Sequence, residues 1–216
     1  MADGEAVADS GTQRWSPLAG MADELRSASA ASGGALRLVE IPFLGQVNLR
    51  VEPKERVADA VGLALDAPLP TEPNTTVTAG DLSVLWLGPD EWLVIGPAGS
   101  GPLLERRLRV AVAGEVASVV DVSAQLTTLV VAGARATDLL AHGCSLDLHP
   151  RAFGVGRCAQ TMLARAQVVL IAGDPVAEGG RPDEPVYRVL VRASFARYLA
   201  EWLLDAATEY VPFSSG

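Results

Sequence analysis

The sequence predicts an α+β domain made of two split βαβ-like halves. Three observations lead there. Short apolar runs with strand character recur along most of the chain. Stretches with helical spacing lie between them, opened by Pro53, Pro102 or Ser194 and closed by Gly114 or Gly143. In order these read strand, helix, strand, strand, helix, strand, and then a second half opens on a strand again. Hairpins interspersed with helices indicate an α+β sheet rather than a doubly wound one.

The elements follow in order. Residues 1–34 are rich in Ala, Ser, Gly and Asp and read as a flexible acidic arm, with one apolar point at Trp15-Ser16-Pro17-Leu18. A single α+β domain spans 35–211, with halves 35–123 and 124–211, and 212–216 form a tail. Leu36 to Val51 read as a strand pair or one bent strand, with Gly45 marking a bulge or turn. Pro53 opens a helix whose apolar stripe is Val57, Ala60, Val61, Ala64 and Leu65. Pro68, Pro70, Pro73 and Asn74 make 67–80 a loop. Leu82 to Leu87 and Trp92 to Ile95 form a hairpin about Gly88-Pro89-Asp90, and Pro102 opens the next helix. Val116 to Val122 is the closing strand of the first half.

The second half runs through a strand at Leu126 to Ala132 and a short helix at Ala134 to His142. Strands at Cys158 to Ala164 and Gln167 to Ala172 follow, then a Pro/Gly loop, then a strand at Val186 to Val191. Ser194 caps a last helix. Its apolar positions, Phe195, Tyr198, Leu199, Trp202, Leu203, Ala206, Ala207 and Tyr210, recur in steps of three and four and paint one broad stripe. The halves share element order but no repeat at the level of residues.

Composition narrows the function. The net charge of −9 disfavours nucleic acid and anionic membrane surfaces, where binding rests on Lys and Arg. No apolar run approaches the ~20 residues of a membrane helix. The N-terminus lacks the basic and apolar regions of a secretory signal, so the two cysteines read as free thiols in a reducing cytoplasm.

Several residue groups carry side chains capable of chemistry. His142, Cys144, His149 and Cys158 hold ligand types for zinc, but only His142 and Cys144 are close, so chance clustering is the favoured reading. Gly154 to Ala159 matches a dinucleotide fingerprint on paper, yet a strand follows it where the mechanism needs a helix N-terminus. Gly88-Pro89-Asp90-Glu91-Trp92 is either a hairpin turn with Trp92 in the core or a contact with a ligand or partner. No catalytic, cofactor-binding or metal-binding set is assigned. Large aromatics with polar tips suit surfaces that meet other proteins. Trp15, Trp92, Trp202, Tyr198 and Phe195 are therefore the candidate partner interface.

These segments together resemble the gamma subunit family of heterotetrameric sarcosine oxidase. The matching stretches are Ser16-Pro17-Leu18, Leu87 to Leu93, and Asp121-Val122-Ser123. They continue with Gly143 to Leu148, Phe153 and Gly156, and end with Ser194 to Leu199 and Trp202 to Ala207. The resemblance implies a fold like the folate-binding domain of the glycine-cleavage T-protein. It implies a complex that demethylates sarcosine oxidatively to glycine, with hydrogen peroxide and either formaldehyde or 5,10-methylenetetrahydrofolate. Its partners would be alpha, beta and delta subunits, which would hold the FAD, FMN, NAD, tetrahydrofolate and zinc. This chain would then be structural, hold no cofactor, and lie in the cytoplasm. The alternative is a stand-alone folate-binding aminomethyltransferase-like protein, with Asp90, Glu91 and Asp121 available for the pterin.

Overall fold

A computed structural model describes residues 14–212. Helix α1 (Ala22–Ala31) precedes strands β1 (Arg37–Ile41) and β2 (Leu44–Val51). Then come α2 (Glu55–Leu65), β3 (Thr76–Ala79), β4 (Leu82–Gly88), β5 (Glu91–Ala98), α3 (Gly101–Ala111) and β6 (Ala117–Asp121). The second half holds β7 (Leu126–Ala132), α4 (Ala136–Ala141), β8 (Cys158–Leu163), β9 (Ala166–Ala172), β10 (Val186–Arg192) and α5 (Ala193–Ala207).

The strands form two antiparallel sheets, ordered β3-β4-β5-β2-β6 and β1-β7-β10-β9-β8. In the first, β6 lies beside β2, and β5 separates β2 from β4. That is the strand order of a split βαβ unit, with α2 and α3 as its two helices. The second half opens in the same way, through β7, α4, β8 and β9. A loop then stands where the first half has its second helix, and α5 follows the last strand instead. Strand β1 completes this second sheet by pairing with β7, so sheet membership crosses the expected division at 123/124. The chain passes between the sheets at Pro42-Phe43, where Phe43 has φ of 64°. A register shift at Leu44/Gly45 is the bulge expected there. A Cβ on Gly45 would lie 2.2 Å from Ser100 Oγ, which is why a side chain does not fit.

Strand alternation sets the layers. On β5, Trp92 and Val94 face α2 and α3 with Leu104 and Leu108, while Leu93 and Ile95 face the other sheet. On β10, Tyr187, Val189 and Val191 face the helices, and Leu190 faces inward to Leu85 and Cys158. The result is helices, sheet, sheet, helices, with a smaller apolar core between the sheets than on their helical faces.

Five expectations are corrected. Residues 1–13 lie outside the described residues, but the rest of the expected arm is not flexible coil. Leu18, Met21 and Leu25 are buried at spacings that place them on one face of the turn and helix leading into the domain. Ser16 and Thr127 both donate hydrogen bonds to Glu40, tying this segment to β1 and β7. The 67–80 loop contains β3, which pairs with β4. Trp92 is not an interface residue: it is 1% exposed, and its indole N–H donates to the Pro70 carbonyl at 2.8 Å. The buried stripe of α5 is Ala196, Leu199, Ala200, Leu203 and Ala207, rotated toward the small residues, because a helix can approach a sheet closely only over short side chains. Ser194 does not cap α5, whose N-cap position is Arg192. The last residues of the expected tail, 213–216, also lie outside the described residues.

Candidate functional site

Rotating the buried stripe leaves aromatic side chains on the flank of α5. Phe195 is 44% exposed and Tyr198 36% exposed, and Trp202 is half-buried. They sit at i, i+3 and i+7, so they share one face. Trp202 packs against Gly143, where an added Cβ would approach its ring to 2.7 Å. The Tyr198 hydroxyl accepts the Arg165 N–H at 3.2 Å in the β8–β9 turn. Both rings are thereby held in place rather than swinging free. Met162, exposed on β8 just before that turn, is a further apolar side chain that strand alternation alone identifies. Trp15 is 73% exposed, while its neighbour Leu18 is buried. Leu18 therefore docks this segment on the body, while Trp15 stays exposed. Arg14 stacks over Phe43 at 5.0 Å beside it.

The three carboxylates considered for a pterin are not brought together. Asp90 and Glu91 stand near Arg50, at 3.7 and 4.0 Å, and Glu91 accepts a hydrogen bond from Asn48 at 2.8 Å. Glu91 and Arg50 open on a cleft of about 350 Å³ between the sheets, lined also by Leu93, Gln160 and Leu190. Asp121 points to the helical face, where it accepts hydrogen bonds from the Ser123 N–H and hydroxyl at the start of α3.

The four residues weighed for zinc also disperse. His142 bonds the Tyr210 hydroxyl at 3.0 Å, and His149 Nδ1 accepts the Arg151 N–H. Cys158 is buried between the sheets, where its thiol donates to the Thr75 and Trp86 carbonyls. Among the described residues, no three His, Cys, Asp or Glu side chains gather as a metal site. The stretch Gly154 to Ala159 leads into β8 and no helix follows it. Among the described residues, no helix is long and apolar enough to cross a membrane.

Burial pushes the Cys158 thiol up to about 11, against the opposing effects of the Trp86 backbone and the Arg157 guanidinium. Only about one thiol in a thousand would be thiolate at pH 8, and the side chain is fully covered. A disulfide reagent should therefore modify one cysteine per folded chain, the half-exposed Cys144, and two after unfolding in denaturant. The count of released thiolate on mixing checks this. Rapid modification of both cysteines in the folded chain would show that the inter-sheet core opens.

Comparison with known proteins adds a family. The profile of the Sarcosine oxidase, gamma subunit family matches residues 52–209. The sarcosine oxidase subunit gamma of Arthrobacter sp is 38% identical over 203 residues, covering 94% of both chains. That of Corynebacterium sp. (strain U-96) is 36% identical over 209 residues, covering 95% of this chain and 96% of the relative. A chain of the heterotetrameric sarcosine oxidase from Corynebacterium sp. U-96, solved in complex with pyrrole 2-carboxylate, superposes with a TM-score of 0.81. It is 34% identical, with 94% of this chain and 99% of that one covered. The glycine cleavage system aminomethyltransferase T from Bartonella henselae superposes with a TM-score of 0.63 at 14% identity, over 87% of this chain and 56% of that one. That likeness is one of fold.

Proposed function

Because this chain belongs to the sarcosine oxidase gamma subunit family, we propose that it is a non-catalytic structural subunit of a heterotetrameric sarcosine oxidase. It braces alpha, beta and delta subunits in the cytoplasm. The complex oxidises the N-methyl group of sarcosine, passes the electrons to oxygen as hydrogen peroxide, and leaves glycine. The one-carbon unit departs as formaldehyde or as 5,10-methylenetetrahydrofolate. FAD, FMN, NAD, tetrahydrofolate and zinc belong to the partner subunits.

The observation that carries this reading is the aromatic flank of α5. Phe195 and Tyr198 are exposed on a helix whose other face is committed to the core, and Tyr198 is fixed by the β8–β9 turn. Rigid aromatic side chains held at a surface favour association, since little side-chain freedom is lost when they are covered. Trp15 offers a second point of contact.

The isolated chain is expected to show no sarcosine-dependent peroxide production, no flavin absorbance and no heat of tetrahydrofolate binding. The assembled complex shows turnover. A folate-binding isotherm on the isolated chain would favour the stand-alone aminomethyltransferase-like alternative, and turnover by the chain itself would end the structural reading.

A further inference from the structure

Strand β1 is the outer strand of its sheet, so one side of its backbone faces away from β7. Such an edge offers N–H and C=O groups to any extended chain that reaches it, and folded proteins usually close it. Helix α1 closes the first part of this one. The Leu36 N–H donates to Ser32 Oγ at 3.0 Å, and the Leu38 N–H to Ser29 Oγ at 2.8 Å. The same two hydroxyls reach back to the Leu36 and Leu38 carbonyls at 3.3 and 3.4 Å. Alternation along the strand turns the Glu40 N–H and C=O to the same side. No hydroxyl of α1 stands there, where Ala22, Leu25 and Arg26 line the space instead. Among the described residues, neither backbone group of Glu40 has a hydrogen-bond partner on that side.

A groove of about 560 Å³ opens at this point, lined by Trp15, Leu25, Glu40 and three arginines, Arg14, Arg26 and Arg37, among others. The Glu40 carboxylate is already occupied by the Ser16 and Thr127 hydroxyls. Asp23 holds Arg26 at 2.5 Å. Arg14 lies over the Phe43 ring and Arg37 donates to the Glu178 carbonyl, and neither pairs with a carboxylate among the described residues. On a chain of net charge −9, a positive groove therefore lies beside an open strand edge.

We propose that the open stretch of β1 at Glu40 is the docking site of an extended, acidic segment of a partner subunit, which joins the sheet as an added strand. This rests on the reading of the chain as a subunit of a larger assembly, and it names a second contact besides the aromatic flank of α5. Peptide backbone is the occupant because it supplies an acceptor for the Glu40 N–H and a donor for its carbonyl at the spacing of a strand. Acidic side chains on the segment match Arg14 and Arg37, and an apolar one covers the exposed Trp15 ring. A second copy of this chain suits the edge poorly, since two β1 edges side by side would bring both sets of guanidiniums together.

Hydrogen–deuterium exchange resolved to single residues, on the full chain alone and in its assembled complex, tests this. In the chain alone, the Leu36 and Leu38 N–H groups should exchange slowly and that of Glu40 fast. Assembly should slow the Glu40 N–H by about a hundredfold. A chain carrying Arg14→Glu and Arg37→Glu together should lose that slowing while Leu36 and Leu38 keep theirs, which shows β1 itself to be intact. A photo-crosslinker at position 26 should link to a partner segment rich in Asp or Glu. A Glu40 N–H that exchanges as fast in the complex as in the chain alone overturns the proposal, and so does slowing undiminished in the double variant. Crosslinks confined to residues 1–13 of the same chain overturn it too, because the groove is then filled from within. Failure of the parent chain to assemble with any partner overturns the subunit reading and this one together, whereas assembly without slowing overturns this one alone.

Discussion

Replacing Trp92 with alanine is expected to cost the chain about 3–5 kcal/mol, a large part of the 5–15 kcal/mol that holds a typical domain together. Trp92 is among the largest fully buried side chains, packed with Val47, Leu49 and Leu108 under α2 and α3. Truncation leaves a cavity that a tightly packed core closes only in part. A second effect adds to it. The indole N–H holds the Pro70 carbonyl, and with it the segment that puts Ala67 and Leu69 into the same core. Trp92→Phe separates the two. It keeps most of the volume and loses the hydrogen bond, so it should cost about 1–3 kcal/mol. Urea unfolding of the three chains, compared at constant slope, checks the order. Equal stability of Trp92→Ala and the parent chain would mean that this side chain is not where the structure puts it.

Phe195→Ala and Tyr198→Ala should do the opposite. Both side chains are partly exposed, so each change should cost about 1 kcal/mol, well below the cost at Trp92; the Tyr198 hydroxyl bond to Arg165 is a surface contact. Affinity for the partner subunits should fall by about 2 kcal/mol or more for each change, which is about thirtyfold in the dissociation constant. The two residues are three positions apart on one helix, so their effects need not add. Binding of the folded variants to the remaining subunits, measured by light-scattering titration or surface capture, reads the difference directly.

Much of this architecture is legible in the sequence. The β4–β5 hairpin announces itself by two apolar runs around Gly88-Pro89-Asp90, and α3 by Pro102 at its start. The split βαβ order of the first half follows from these elements alone. Helix α1 is harder to read, because Ala and Ser fill it and only Met21 and Leu25 mark its buried face. Strand β3 is four residues long and follows three prolines, so local chemistry speaks for a loop, and only pairing with β4 makes it a strand. The face of α5 is misjudged for a physical reason. A hydrophobicity pattern weights Phe195, Tyr198 and Trp202 most heavily, but close packing on the sheet selects Ala196 and Ala200 and turns the rings outward. The same rule of thumb places Trp92 at an interface, while the alternation along β5 sends it to the core.

The docking claim is tested most directly by one chain carrying Trp15→Ala, Phe195→Ala and Tyr198→Ala together, co-expressed with the other three subunits and compared with the parent. The variant should melt within a few degrees of the parent chain and fail to co-purify with its partners, which should lose assembly or yield. Full co-purification of the folded triple variant, with parental stoichiometry and turnover, would contradict the assignment of these aromatic surfaces as the place where this subunit meets the others.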